Sequence, residues 1–194
     1  MNSRAVRALH APQPADDAEL LSAVAQGDIG ALGKLYDRHA RAVWAVVHRV
    51  MNGGGDVEDV VHATFLKVPA LAARFDGRAS ARNWLIGISV RTALRHLRGL
   101  GRWRRILGRF AETQTPADLR DPETYAQSRS ELALVDRKLD RLSLAKRAVF
   151  ILVEVEGLSQ DEVARELGIP IATVRTRLFH AKRELIAALE KGTR

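Results

Sequence analysis

The chain contains no cysteine. No disulfide can staple it and no thiolate can hold a metal, which fits a reducing compartment. No apolar run approaches the roughly 20 residues that cross a bilayer. The first 15 residues carry Arg4 and Arg7 but lack the apolar stretch of a secretory signal. They read as a disordered tail, with Pro12 and Pro14 at its end. The expected compartment is the cytoplasm.

Catalytic signatures are also missing. The glycines at 53–55 are not followed by the Lys-Ser/Thr of a phosphate loop. His39, His48, His62 and His96 have no partner at zinc-site spacing, so they read as surface or core-edge histidines. Asp56, Glu58 and Asp59 resemble paired catalytic carboxylates, but a capping cluster at a helix N-terminus is the simpler account. The expectation is no enzyme, no cofactor and no metal.

Strand patterns are scarce as well. Ala, Leu, Arg and Glu dominate, with helical apolar spacing almost throughout. Val149 to Val153 is strand-like in composition, but Leu142, Val149, Leu152 and Val153 also fit a helix between helical neighbours. The chain is read as all-α. A net charge of +8 points to an acidic partner.

That charge is uneven. Residues 91–109 hold seven arginines and no acid; residues 110–136 hold six acids and two arginines, with Pro116 and Pro122. The acidic stretch reads as a linker that turns helical near Tyr125. The division is a tail (1–15), an N-terminal helical domain (16–98), a flexible linker (99–127) and a C-terminal helical domain (128–191).

In the N-terminal domain, residues 16–27 form a capped helix. Residues 29–51 form a second, packing Leu32, Leu35, Tyr36, Val43, Val46, Val47 and Val50. Asn52 to Gly55 is a turn. Asp56 caps a third helix containing Val60, Val61, Thr64, Phe65 and Leu66, broken just before Pro69. Phe75 to Ser80 is a loop. Trp84, read as a core anchor, opens a last helix to about Leu97 that displays Arg91, Arg95 and Arg98. Trp103, among arginines, is read as a surface residue able to pack on a partner.

The most specific pattern is Ser159 to Leu185. Ser159 and Glu162 make a capping box. Val163, Ala164 and Leu167 form an apolar stripe. Gly168 ends the first helix and Pro170 suits the first turn of the next. Val174, Leu178, Ala181, Leu185 and Leu189 face the core. Ala172, Arg175, Thr176, Phe179, His180 and Arg183 lie opposite. This is the pattern of a DNA-reading helix-turn-helix. Arg175 is suited to guanine, Thr176 to several bases and Phe179 to a thymine methyl. Arg177, Lys182 and Arg183 are better placed for phosphates. An exposed phenylalanine within the basic stripe argues against a merely solvated face.

Three blocks, DVEDVVHATFLKV, ARFDGRASARNWLIGISVRTALRHLR and LDRLSLAKRAVFILVEVEGLSQDEVARELGIPIATVRTRLFHAKREL, resemble bacterial RNA polymerase sigma factors of the sigma-70 family. The similarity is to the two-domain extracytoplasmic-function class and covers residues 16–190. It implies a promoter-recognition subunit with sigma regions 2 and 4, acting at the bacterial nucleoid. Implied partners are core RNA polymerase, through the clamp helices of its largest subunit and the flap of the second-largest, promoter DNA both duplex and single-stranded, and an anti-sigma factor, which no residue by itself demonstrates. Asp59, His62, Phe65 and Leu66 fall in the core-binding helix. Asp76, Gly77, Arg78, Ala79, Ser80, Arg82, Asn83, Arg91 and Arg95 fall where the unwound minus-ten strand is held. Ala172, Thr173, Arg175, Thr176, Arg177, Phe179, His180, Lys182 and Arg183 fall where the minus-thirty-five duplex is read. The linker would thread toward the active centre and RNA exit path.

The sequence departs from the common pattern in several places. His62 and Ala63 stand where glutamine and an acid are frequent, Pro69 for tryptophan, Arg91 for asparagine and His180 for arginine. Promoter preference therefore does not transfer. Melting DNA costs a few kcal/mol per flipped base, which a basic groove beside the 76–82 loop would offset. Two other classes stand beside this one. A stand-alone helix-turn-helix regulator would dimerise, but no heptad pattern is visible. A decoy would direct its arginines at an acidic protein.

Overall fold

The computed structural model describes residues 16–54, 56–108, 139 and 141–190, and every regular element among them is helical. Residues 1–15 and 109–138 lie outside this description. With them go the expected tail, most of the linker, including Pro116, Pro122 and Tyr125, and the start of the C-terminal domain.

Local side-chain chemistry starts the first two helices. The Asp16 amide donates to Glu19 Oε2 at 3.1 Å and opens α1 (Asp17–Ala25). Asp28 accepts the Ala31 amide at 3.0 Å and opens α2 (Ile29–Met51). Leu35, Val43, Val46, Val47 and Val50 are buried, whereas Leu32 and Tyr36 are only partly covered. The Asp17 carboxylate takes Arg38 and His39, each at 2.8 Å, and ties α1 to α2. Asn52, left-handed at φ 60°, ends α2, and the Gly53 amide returns to the His48 carbonyl at 3.0 Å.

Asp56 corrects an expectation. It precedes α3 (Val57–Phe65), yet its side chain makes no cap bond. Its carboxylate instead meets His96 Nε2 at 2.8 Å. The backbone at Asp56, φ −97° and ψ 18°, is not the extended geometry that a cap uses. Glu58 and Asp59 do occupy the first turn, facing the positive end of the helix dipole. The break before Pro69 is present. A short α4 (Val68–Leu71) takes Pro69 in its first turn, where a missing amide is harmless, and a 3-10 turn (Ala72–Arg74) leads into the 75–80 loop.

The next helix is longer than expected. Ser80 Oγ accepts the Asn83 amide at 3.1 Å, so α5 (Ala81–Gly108) begins three residues before Trp84. It also passes Leu97, and the first ten residues assigned to the linker are helical. The arginine-rich stretch contains no proline to stop it, and the glycines there weaken a helix without breaking it. Trp84 is buried edge-to-face on Phe75, with ring centroids 5.5 Å apart, as a core anchor should be.

Among the described residues of the C-terminal unit, the first helix with given bounds is α6 (Leu144–Phe150), which continues as a π-helical turn (Ile151–Val155). Val149, Ile151 and Leu152 are fully buried, so this run is a core helix and not a strand. Next come α7 (Gln160–Leu167) and α8 (Ile171–Glu190). The Ser159 amide donates to Glu162 Oε2 at 2.8 Å, and the Glu162 amide donates to Ser159 Oγ at 3.2 Å. Gly168 (φ 63°) closes α7, with the Ile169 amide donating to the Ala164 carbonyl at 3.0 Å. Pro170 sits just before α8, and its carbonyl accepts the Thr173 amide at 2.9 Å. Val163, Val174, Leu178 and Ala181 are buried and Leu185 is partly covered; the side chain of Leu189 is outside the description.

The capping box yields one prediction. The hydrogen bonds with Ser159 hold the Glu162 carboxyl below its ordinary value. A depressed carboxylate stabilises the fold above the unfolded-state value, and that contribution is lost as pH falls through the folded value. Ser159→Ala is expected to cost about 1 kcal/mol at neutral pH. The gap to the parent should narrow as pH drops below the ordinary glutamate range. Urea melts at neutral and acidic pH check both parts.

The two units do not stand apart. Their buried side chains form one continuous cluster, with α5 against α7 and α2 against α6.

Candidate nucleic-acid interface

On α8, Ala172, Arg175, Thr176, Phe179, Lys182 and Arg183 are exposed, and Thr173, Arg177 and His180 are half-buried. The Phe179 ring is 60% exposed and packs edge-to-face on His180 at 5.5 Å. An aromatic left in water on a basic helix face has an apolar contact to make elsewhere. The Thr176 hydroxyl donates to the Ala172 carbonyl at 2.9 Å and keeps its acceptor lone pairs facing out. Lys182 meets Glu154 at 2.8 Å, a solvent-exposed pair that a phosphate can displace.

Of the second group, Asp76, Arg91 and Arg95 line a groove of about 680 Å³ between α5, the 67–76 segment and α7, while Gly77, Arg78, Ala79, Ser80, Arg82 and Asn83 are not part of its lining. Lys67, Arg74, Arg91, Arg95 and Arg165 supply positive charge to its wall, and the edge of the buried Trp84 contributes to its lining. Burial pushes the Lys67 ammonium below its ordinary value, and Arg95 and Arg91 push it the same way. Its Nζ donates to Thr92 Oγ1 at 2.9 Å. Crowded like charges of this kind are relieved by an anion. Asp76 accepts the Arg78 amide at 3.1 Å and shapes the loop, with Gly77 and Arg78 exposed and Ala79 half-buried. Ser80 and Asn83 are used locally as the cap of α5.

Arg82 and Arg91 are not open in the way the sequence suggests. Arg82 pairs with Glu156 at 2.8 Å. Arg91 donates to the Glu166 backbone carbonyl and lies 3.5 Å from its carboxylate. Burial pushes the Glu166 carboxyl up, partly offset by Arg91. Arg95 remains exposed.

A third surface is apolar. Ile29 and Leu66 are 80% and 78% exposed. With Leu32, Gly33, Tyr36, His62 and Phe65 they line a concavity of about 450 Å³. Tyr36 and His62 also border a second hollow that reaches Trp44. His62 is exposed at both hollows, Asp59 is exposed on the same helix but lines neither, and Phe65 is 4% exposed and packs against Tyr36 at 4.8 Å. Phe65 therefore acts from beneath the surface. Sequence reasoning missed Ile29, Lys67 and Arg74. The one available signal was Ile29, a large apolar residue at the first position of a capped helix.

His48 stacks on Trp44 and His62 on Tyr36. Among the described residues no cluster of acids and histidines is arranged to hold a metal, and no helix is long and apolar enough to cross a membrane.

A helix-turn-helix, a basic groove and an exposed apolar face on one all-helical chain define a DNA-engaging protein that also docks on a protein partner. Comparison with known proteins gives the same class. Residues 35–104 match Sigma-70 region 2 and residues 132–185 match Sigma-70, region 4. The chain is 32% identical to RNA polymerase sigma factor NccH of Alcaligenes xylosoxydans xylosoxydans, over 92% of this chain and 97% of that protein. It is 31% identical to sigma factor CnrH of Cupriavidus metallidurans (91% and 96%), and 30% identical to the ECF sigma-E factor of Salmonella typhimurium strain LT2 (86% and 90%). The solved structure of CnrH in complex with the cytosolic domain of CnrY aligns with a TM-score of 0.61 at 29% identity, covering 90% of this chain and 97% of that one. RpoE of Bartonella quintana, solved with the anti-sigma factor NepR, shares the fold, with a TM-score of 0.64 at 23% identity over 81% and 96%.

The chain belongs to the sigma-70 family, in its extracytoplasmic-function class, and is a sigma factor for transcription initiation. Sigma factors of this family bind core RNA polymerase and are not catalytic enzymes as a class.

Proposed function

We propose a division of this work among the three surfaces. The outer face of α8 reads the minus-thirty-five duplex. Arg175, Thr176, Phe179 and His180 meet base edges, Arg177, Lys182 and Arg183 meet phosphates, and Ala172 and Thr173 set how closely the helix enters the groove. The 76–83 loop with Arg82, Arg91 and Arg95 holds the melted minus-ten strand, and Lys67 and Arg74 extend that basic wall. Asp59, His62 and Leu66, with Ile29, dock on the clamp helices of the polymerase's largest subunit. The C-terminal domain docks on the flap of the second-largest. The solved CnrH is in complex with the cytosolic domain of CnrY; the corresponding partner proposed here is an anti-sigma factor.

The observation that carries this reading is a five-cation groove on the same chain as, but apart from, an exposed recognition helix. A reader of duplex DNA alone has no use for a second basic groove away from its recognition helix, while an unwound single strand needs one. The test is initiation by purified core polymerase on a promoter library. Arg175→Ala is expected to weaken selection of the upstream element by about 1–3 kcal/mol through loss of a bidentate base contact. An unchanged preference across upstream elements would remove that contact, and binding of a palindromic duplex without any initiation would sink the assignment of surfaces.

A further inference from the structure

Two of the arginines assigned to the melted strand, Arg82 and Arg91, are occupied by the chain's own C-terminal unit. Glu166, on the first helix of the helix-turn-helix, points away from the recognition face and into α5. Its side chain is 8% exposed, and both its backbone carbonyl and its carboxylate face the Arg91 guanidinium. One helical turn before Arg91, on the same face of α5, stands Gly87. A Cβ at Gly87 would lie 2.9 Å from Glu166 Cβ and Cδ, so glycine is what lets α7 approach this closely. At the end of the π turn, Glu156 is 6% exposed; it pairs with Arg82 at 2.8 Å and Arg49 at 3.7 Å.

We propose that Glu156 and Glu166 form an intramolecular latch, closing the helix-turn-helix unit over α5 and competing with DNA phosphates for Arg82 and Arg91. The proposal rests on the reading that this face of α5 holds nucleic acid. The Glu156 carboxylate takes Arg82, and the Glu166 backbone carbonyl, with its carboxylate 3.5 Å away, takes Arg91, much as phosphate oxygens would. Such pairs contribute little net stability, because desolvating the acid opposes the attraction. The raised Glu166 carboxyl is a sign of that cost. The latch is therefore specific in register but weak enough to open. Closure leaves Arg175, Thr176 and Phe179 on α8 exposed. The free chain would thus present its upstream reader while withholding its single-strand groove until a partner separates the two units.

The absence of cysteine makes the test direct. Lys34→Cys and Ala187→Cys, both at exposed positions on different units, accept dyes on the otherwise native full chain. The separation of the dyes is then measured with and without two changes: Gly87→Ala alone, and Glu156→Gln with Glu166→Gln. Gly87→Ala is decisive because it alters no charge and alanine is the better helix former. Binding of an end-labelled, mixed-sequence single-stranded 12-mer DNA is read on the same samples without polymerase.

The latch predicts one narrow separation in the parent and a longer, broader one in both variants. Affinity for the single strand should rise at least about fivefold, because affinity scales with the open fraction. An unchanged separation in both variants overturns the latch. A longer separation with unchanged affinity overturns the competition with DNA. In that case promoter opening by the polymerase complex of Arg82→Ala and Arg91→Ala tells which premise failed. Full opening by those variants shows that this face never held the strand. Impaired opening shows that it does, but that closure does not mask it.

Discussion

Leu66→Lys is expected to cut affinity for core RNA polymerase by at least about a hundredfold, near 3 kcal/mol, with the folded state barely changed. The argument starts from exposure. Leu66 is the C-cap of α3 and leaves 78% of its surface in water, opposite Ile29 at 80%. A large apolar side chain kept in water forgoes on the order of 2 kcal/mol that burial would supply. Two of them facing one apolar concavity form a patch whose covering is a partner. A lysine here would be desolvated on docking with no acid across from it among these residues, and central interface positions respond to such changes by 2 kcal/mol or more. The fold should tolerate the change, because a cation at a helix C-terminus is favourable. Ile29→Glu should act alike, since an acid suits the first turn of α2. Titrating labelled sigma factor with core polymerase, beside thermal melts of each variant, checks the claim. Parent-like affinity in both variants would place the docking face elsewhere.

Much of this geometry is written in local sequence. The bounds of α2, the Ser159–Glu162 capping box and the Gly168 turn follow from side chains that act within four residues of themselves. The helix-turn-helix face is equally local, since 3.6-residue spacing separates Val174, Leu178 and Ala181 from Arg175, Thr176 and Phe179. Three failures of the sequence reading share one cause. Asp56 looks like a cap until His96, forty residues away, takes its carboxylate. Arg91 looks free until Glu166, seventy-five residues away, takes its guanidinium. Gly87 looks like an ordinary helix glycine until α7 is laid across it. Pairings of that range leave no periodic trace. The extension of α5 to Gly108 is a different case. Arginine is a good helix former, and the proline-free basic stretch carries the helix past the end expected near Leu97, up to the change of charge that follows.

Phe65→Ala separates contact from support. Phe65 is 4% exposed and meets Tyr36 edge-to-face, at 4.8 Å and 62°. Truncating a buried phenylalanine costs about 3–5 kcal/mol, and this aromatic pair contributes about 0.5–1.5 kcal/mol beyond burial. For a chain of this size the melting midpoint should fall on the order of 10 °C. The same ring lines the floor of the concavity under Ile29 and Leu66, so its removal also loosens the docking face. Because Phe65 reaches that face from below, polymerase affinity measured well under the new midpoint should fall far less than for Leu66→Lys. Phe65→Leu, which refills most of the volume, should restore both stability and affinity together. A variant that melts like the parent yet no longer binds polymerase would reverse the assignment. It would mean that Phe65 leaves the core and touches the partner directly.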